Sequence, residues 1–154
     1  DDWHKLGIGT YDTVIASRSL VVDDLQSAIL KLDAAANKRA YIITMSGDGP
    51  YDRRLYDAIG RHHETGADYI YYYNLLYQLG ICAHVSFIKE IRNRTYESPE
   101  DAYASIESMF GDLTASEKEK MAAHVRQHLI SSGNSWRFSY SQLIRWAVMW
   151  WEKD

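Results

Sequence analysis

The chain has 154 residues, of which 46% are apolar and 25% charged, with a formal net charge of −4 at pH 7. This composition is typical of a soluble globular protein and excludes a largely disordered chain. No apolar run approaches the roughly 20 residues of a membrane-spanning helix, and no concentrated basic patch of the kind that binds nucleic acid is present. The sequence therefore predicts one domain, residues 1–154, that contacts neither a membrane nor a nucleic acid.

The cysteine content indicates the cellular compartment, and the distribution of lysine and arginine indicates which segment is solvated. The single cysteine, Cys82, has no partner for an internal disulfide, which is typical of a reducing compartment and predicts a cytoplasmic protein. The densest basic stretch, Lys89–Arg94, includes Glu90. We interpret that stretch as the solvated face of a strand.

The first third of the chain alternates strand, helix and strand. Tyr11–Ala16 (YDTVIA) is short, apolar and rich in β-branched residues, as a buried parallel strand is. Asp23–Ala36 has apolar residues at helical spacing and acidic residues in its first turn. Arg39–Met45 (RAYIITM) is a second buried strand, ended by a Gly- and Pro-containing break at 46–50. This order predicts a βαβ unit with a right-handed crossover.

The remainder predicts helices followed by two further strands. Asp68–Leu79 is apolar on nearly every side, which predicts a buried helix. The expected elements are a short helix at 52–61, the buried helix at 68–79 and a long strand at 81–96. They are followed by helices starting at Ser98 and at the capping box Thr114–Glu117, a loop at 131–135 and a last strand at 144–152. The order is β-α-β-α-α-β-α-α-β, with the long and last strands pairing antiparallel.

Three features carry a resemblance to a known family. YDTVIASRSLVVDDL, the amphipathic helix after it and RAYIITM resemble strand four, its loop, the next helix and strand five of class I S-adenosylmethionine-dependent methyltransferases. The opening Asp1-Asp2-Trp3, shortly before YDTVIA, resembles the end of strand three. The long strand and the aromatic last strand resemble strands six and seven. The resemblance implies an α/β fold, a partial Rossmann-like methyltransferase sheet with strands resembling 4-5-7-6, the last strand antiparallel, flanked by helices.

The family's cofactor-binding half has no counterpart here. Its Gly-rich loop follows a first strand that would lie upstream of Tyr11, and Gly7-Ile8-Gly9 precedes a strand instead of joining a strand to a helix. We therefore expect the chain to be the C-terminal part of a methyltransferase domain. The isolated fragment is expected to be inactive and to bind S-adenosylmethionine weakly or not at all.

The resemblance assigns roles to seven residues. Asp2 would accept a hydrogen bond from the adenine amino group and Trp3 would pack on the ring; the alternative is a solvated N-terminal tail. Residues after the first two strands would line the space around the methyl group and its acceptor: Ser17, Arg18, Ser19, Ser46 and Asp48.

Ordinary structural roles compete with the acceptor pocket. Ser19 would cap the helix and Arg18 would pair with Asp23 or Asp24, while Ser46 and Asp48 would belong to a turn. No catalytic side chain is assigned, because methyl transfer from a sulfonium is an in-line displacement that alignment can accelerate.

Histidine pairs are the remaining candidates for chemistry. His124 and His128 have the i, i+4 spacing that can chelate a metal, but no third ligand is evident, so we interpret them as a solvated helix face and predict no metal site. His62-His63 ends a helix, where imidazoles cap carbonyl groups.

Two functions remain open. The first is methyl transfer to an unidentified acceptor, with a small molecule favoured, by the full-length protein. The second is a non-catalytic binding or oligomerisation module with a methyltransferase-like fold. In either case Tyr11–Ala16 would form an exposed sheet edge, which predicts self-association.

Overall fold

A computed structural model of the protein describes residues 7, 9–63 and 68–153. The chain is a mixed α/β protein, as the sequence predicts. Its described residues form two compact units: one from the segments 1–49, 65–89 and 145–154, and one from 50–64 and 90–144. No helix in these described ranges is long and apolar enough to cross a membrane.

Five helices and seven strands are present in the described residues. The helices are α1 (Leu25–Ala35), α2 (Arg53–Ile59), α3 (Tyr69–Gln78), α4 (Pro99–Phe110) and α5 (Ala115–His128). The strands are β1 (Tyr11–Ser17), β2 (Ala36–Ser46), β3 (His84–Arg92), β4 (Thr95–Tyr96), β5 (Leu129–Ser132), β6 (Ser135–Phe138) and β7 (Gln142–Glu152).

The larger sheet has the strand order β1-β2-β7-β3. β1 pairs parallel with β2, with Ile15 opposite Tyr41. β7 pairs antiparallel with β2, with Trp150 opposite Tyr41. The last strand therefore lies between the second strand and the long third strand.

One face of this sheet carries the core of the first unit. Alternate residues on β2 and β7 are buried because a strand points successive side chains to opposite faces. They pack with buried residues of α1 and α3 in one cluster, which includes Ile29, Leu32, Ala40, Ile42, Tyr72, Leu76, Met149 and Trp151. α1 is capped at its start by Asp24, whose side chain accepts a hydrogen bond from the Ser27 backbone N–H (3.0 Å).

The opposite face of the sheet, here called the open face, is only partly buried among the described residues. Ile15 on β1 is 60% exposed. The other members are half-buried: Tyr41, Ile43 and Met45 of β2, and Trp146, Val148 and Trp150 of β7. The prediction of a buried strand is therefore wrong for β1, of which only Ala16 is buried, while β2 is buried on one face and half-buried on the other over 40–46.

α3 also differs from the prediction. Only Tyr72 and Leu76 are buried, while Ile70, Tyr71 and Tyr77 are exposed. Tyrosine presents a polar hydroxyl beside its apolar ring, so a tyrosine-rich helix satisfies the hydropathy of a buried helix and still tolerates water on one side.

The second unit contains the three-stranded sheet β4-β6-β5 and the helices α2, α4 and α5. Its core is a separate cluster that includes Leu55, Ile59, Ile106, Met121 and Val125. The capping box at the start of α5 is confirmed, since the Thr114 and Glu117 side chains each accept a hydrogen bond from the other residue's backbone N–H.

Two expected segments of the chain are divided differently. The long strand ends at Arg92 and resumes as β4 after Asn93 and Arg94. The expected loop at 131–135 is the turn of a β5–β6 hairpin, in which Gly133 has φ 65°. Positive φ is accessible to glycine without steric cost, so Gly133 permits the tight reversal.

Three predictions of solvated or capping side chains are wrong in whole or in part. In the basic stretch predicted as a solvated face, Lys89 is exposed but Arg92 and Arg94 are half-buried. His124 and His128 are also half-buried, with ring centroids 4.5 Å apart. α2 ends at Ile59 with Gly60 as its C-cap, so the His62-His63 pair lies beyond the helix.

Candidate functional site

The site predicted from the sequence lies at the carboxyl ends of β1 and β2, within the first unit. Arg18 follows β1 directly and has φ 55°, the one positive φ outside glycine among the described residues. A long side chain in this left-handed region costs roughly 1–2 kcal/mol. Its backbone N–H donates to the Ile43 carbonyl oxygen (2.9 Å), which holds the conformation in place. Such conformations persist where the surrounding structure enforces them, and they are enriched at ligand sites.

The Arg18 side chain extends from the end of β1 across β2 to β7. Its guanidinium carbon lies 5.0 Å from the centroid of the Trp146 ring. Trp146 is on β7, opposite Met45 of β2, so the arginine spans the intervening strand. A guanidinium above an indole face is held electrostatically while its N–H donors remain directed outward. Stacking thus orients the cation at the exposed edge of the open face.

The two serines flanking Arg18 have separate positions. Ser17 is the last residue of β1 and lies opposite Ile43 in the parallel register. Ser17 and Ser19 are both exposed. Ser19 is not the helix cap, because Asp24 has that role. Both hydroxyls are therefore positioned in solvent beside Arg18.

The second predicted group lies farther along the chain direction of β2 than Ser17 does: Ser46 ends β2 and Asp48 is in the loop after it. Ser46 lies three positions beyond Ile43 on β2, which at strand rise is roughly 10 Å from the level of Ser17. Both Ser46 and Asp48 are half-buried. The structure therefore staggers the two groups along the sheet, and the Arg18 side chain reaches toward the level of Met45.

The loop after β2 is shaped by glycine. Gly47 and Gly49 have φ of 68° and 60°, a region that side chains rarely adopt. A Cβ on Gly49 would come within 2.7 Å of Met45 Sδ. Glycine at this position therefore lets the loop pack closely against Met45 of β2. The Gly47 N–H donates to Oδ2 of Asp68 (3.1 Å).

Asp68 adds a carboxylate that the sequence did not reveal. Its second oxygen, Oδ1, is buried and accepts no hydrogen bond from the described residues. Asp68 is the N-cap of α3 but makes no side-chain cap bond. It binds the β2 loop instead, a role that depends on tertiary contact.

The arrangement joins a cation on an aromatic face with the hydroxyl groups of Ser17 and Ser19, its neighbours in the chain. It can bind and orient a polar or anionic small molecule through the Arg18 fork. No group of three or more metal-ligating side chains occurs in the part of the chain that the structure describes. The two residues expected at the adenine, Asp2 and Trp3, lie outside the described residues.

Comparisons with known proteins give limited guidance. No family model matches the chain. A protein of Haemophilus influenzae named "Uncharacterized protein" is 36% identical over 156 residues; the match covers the whole chain and 56% of that relative. The chain thus spans about half the length of the curated relative it matches.

Solved structures are similar to the chain at a low level. Among them is that of a "putative methyltransferase" from Bacillus halodurans, with a TM-score of 0.49 and 10% identity, covering 99% of the chain and 69% of that protein. A likeness at this level establishes neither fold nor activity.

Proposed function

We propose that the chain is the acceptor-side part of an S-adenosylmethionine-dependent methyltransferase, and that the cofactor is bound chiefly by another part of the full-length protein. The acceptor is a small molecule whose polar group is held at the carboxyl edge of β1 and β2. A cytoplasmic location is proposed with it, on the basis of the single unpaired cysteine, which is exposed.

The open face of the sheet is the observation that carries this proposal. In α/β sheets with parallel strands, helices normally cover both faces. Here α1 and α3 cover one face, while the other presents three half-buried residues each from β2 and β7 together with Ile15. A second helical layer would bury this apolar surface, with a gain of roughly 25 cal/mol per Å².

The strand order is consistent with the same proposal. The order first, second, last and third strand, with the last strand antiparallel to its neighbour, is what the resemblance implies for strands 4-5-7-6. A fold of this kind hosts many activities, so the order supports the architecture and leaves the chemistry to the site.

The proposed roles follow the geometry at the edge. Arg18, oriented by Trp146, would pair with an anionic or carbonyl group of the acceptor. Ser17 and Ser19 would add hydroxyl contacts, and Ser46 and Asp48 would line the far side. Binding and alignment are the contributions required of them, because an in-line methyl transfer needs no covalent enzyme intermediate.

The described residues do not by themselves make a site for the cofactor. No glycine lies between β1 and α1. The glycines after β2 are explained by local packing and by the Asp68 contact. Asp2 and Trp3 remain the proposed adenine contacts, and S-adenosylmethionine, when bound by the full-length protein, would supply the methyl group.

The test separates an effect of a substitution on acceptor binding from an effect on cofactor binding. The full-length protein is incubated with methyl-tritiated S-adenosylmethionine and a small-molecule extract, and transferred label is counted. Arg18→Ala is expected to lower transfer by roughly tenfold or more, because an unaligned acceptor loses the near-attack geometry. Its calorimetric affinity for S-adenosylhomocysteine should stay within about twofold.

The matched control is Arg53→Ala, an exposed arginine on α2 that is 3.9 Å from Asp57. It should transfer label at the wild-type rate. Equal transfer by the Arg18 and Arg53 variants would remove Arg18 from the acceptor site.

A second candidate function, self-association, rests on the free edge of the sheet. β1 is the terminal strand in the order, and Tyr11 and Ile15 are 59% and 60% exposed. Edge strands with apolar side chains template pairing with another chain. We propose that two copies pair through β1 when nothing else covers it.

Sedimentation velocity of the 154-residue chain tests that pairing. The wild type should form dimers at high concentration. Ile15→Lys should shift the equilibrium toward monomer by roughly tenfold, because a charge on the edge opposes pairing. Val21→Lys, at an 83% exposed position outside the strand, is the control. A monomeric wild type at every concentration would exclude association through β1.

A further inference from the structure

A small cavity lies within the second unit, lined by residues from separate segments of the chain between 50 and 142. It has a volume of about 30 Å³. Its polar wall includes Arg92, Arg94, Tyr140 and Gln142, and its apolar wall includes Ile106 and Met109. We call it the Arg94 pocket. The pocket is partly open to solvent, so its enclosed part holds one or two waters or a carboxylate group, and the remainder of a ligand can extend outward.

Arg94 occupies the pocket with weak hydrogen-bond partners. Its Nη1 donates to the thioether sulfur of Met109 at 3.4 Å, and sulfur of this kind is a poor acceptor. Its other partner is the phenol of Tyr96. Burial raises the pKa of Tyr96, and the charge and hydrogen bond of Arg94 oppose that rise without cancelling it. Both neighbours are therefore neutral at pH 7.

The other charges around the pocket are already balanced. Asp52 receives two hydrogen bonds from the Arg54 guanidinium, at 2.8 Å from Nε and 3.0 Å from Nη2. Arg92 pairs with Glu90, with 2.9 Å between Nη2 and the carboxylate. Within the described residues, Arg94 has no carboxylate partner, so the pocket retains one unit of positive charge.

Tyr140 and Gln142 complete the polar wall without adding charge. The Tyr140 hydroxyl lies 2.9 Å from Nε2 of His124. Burial lowers the pKa of His124, with His128 acting in the same direction, so this imidazole is neutral at pH 7. The Arg54 guanidinium lies 3.6 Å above the Tyr140 ring and fixes its position. Gln142 donates to the Pro50 carbonyl oxygen (2.9 Å).

We infer that the Arg94 pocket binds the carboxylate of a small monoanionic ligand. A carboxylate matches the guanidinium fork with two parallel hydrogen bonds and would replace the thioether contact. One negative charge balances the one uncompensated cation. Ile106 and Met109 would flank the carbon atom that carries the carboxylate. This site is independent of the proposed methyl transfer, since it uses only residues of the second unit.

Short carboxylic acids are the probes for the test. Acetate and propionate are titrated into the ¹⁵N-labelled 154-residue chain, with chloride holding ionic strength constant, and two-dimensional NMR follows the Arg94 side-chain N–H and the Tyr140 backbone amide. Saturable shifts at both positions are expected. Acetamide and propionamide have nearly the same shape without the charge, and they should bind at least roughly tenfold more weakly.

Arginine variants then locate the binding. Arg94→Gln should weaken acetate binding by roughly tenfold or more. Arg94→Lys keeps the charge without the guanidinium fork, so its affinity for acetate should lie between those of the wild type and Arg94→Gln. Arg53→Gln, at an exposed arginine outside the pocket, should bind as the wild type does. The amide comparison uses the unaltered chain, so the inference stays testable if an Arg94 variant does not fold.

Three outcomes would overturn the inference. Acetamide shifting the same signals with equal affinity would show that charge is not recognised. Wild-type affinity in Arg94→Gln would place binding elsewhere. Inorganic phosphate binding more tightly than acetate would replace the monoanionic carboxylate with a different anion.

Discussion

The two units of the chain are stabilised in different ways. In the first, α1, α3 and the sheet share one apolar core in which Ile29, Leu32 and Met149 are fully buried, and charged residues lie outside it. In the second, an apolar core is present too, and the half-buried arginine Arg61 connects its elements. The Lys38–Asp12 and Arg39–Glu152 pairs between strands of the first unit are more than half exposed. Arg61 joins α2 to Glu117 and to the backbone carbonyls of Phe110 and Asp112.

The difference separates what hydrophobic patterning can specify from what it cannot. Apolar periodicity describes an element that buries one face, which is the situation of α1 and β2. An arginine that links a helix end to a distant loop has no such signature. The first unit should therefore respond most to lost apolar volume, and the second to lost charge.

The largest expected effect is in the core of the first unit. Ile29→Ala removes a fully buried side chain and should lower the free energy of unfolding by about 3 kcal/mol, from lost burial plus a cavity. Leu30→Ala, at the adjacent and 46% exposed position, should change it by less than about 1 kcal/mol. Urea unfolding followed by circular dichroism measures both. Similar losses for the two variants would contradict an apolar core centred on Ile29.

The next effect is the acid sensitivity of the second unit. Hydrogen bonds from Arg61 and then from Thr114 lower the pKa of Glu117 from 4.5 to about 2. Because the folded state favours the carboxylate, this stabilisation is complete above pH 4.5 and is lost as the pH falls toward 2. Glu117→Gln should be less stable at neutral pH and should lose that part of the acid dependence.

Amide hydrogen exchange in α5 between pH 2 and 4.5 reports this effect locally. Glu119→Gln, an exposed carboxylate on the same helix, is the control and should follow the wild-type profile. If the Glu117→Gln profile runs parallel to the wild type in this range, the Arg61–Glu117 pair does not stabilise the second unit.

The smallest effect concerns Arg18. Arg18→Gly relieves a positive φ at the cost of the stacking on Trp146, and should raise the unfolding free energy by under about 1 kcal/mol. Arg18→Ala keeps the backbone conformation and loses the stacking, so its stability should fall. Thermal unfolding of the pair checks the order. Greater stability for alanine than for glycine would show that the backbone is not strained.

The predictability of the fold follows the same division. The βαβ unit, the capping box and the last strand were evident from spacing and β-branched content. The β5–β6 hairpin was missed, because its strands are four residues each and half-polar. Short strands of this kind show no clear period, and their pairing is decided by tertiary contacts.

The candidate site was only partly predictable. Its position at the carboxyl ends of the strands follows from parallel topology, and Arg18 was named on that ground. The left-handed conformation of Arg18, its stacking on Trp146 and the Asp68 contact depend on residues far apart in the chain. The half-burial of Arg92 and Arg94 was hidden for the same reason, since a basic stretch has the same composition on a surface and in a pocket wall.

The most direct test of the proposed methyltransferase is calorimetric titration of S-adenosylhomocysteine into two proteins, the full-length protein and the 154-residue chain. We predict binding in the micromolar range by the full-length protein and weak or no binding by the chain alone. Micromolar binding by the isolated chain would contradict the proposal that the cofactor is held elsewhere. No binding by the full-length protein would contradict methyl transfer itself, leaving association through β1 as the better function.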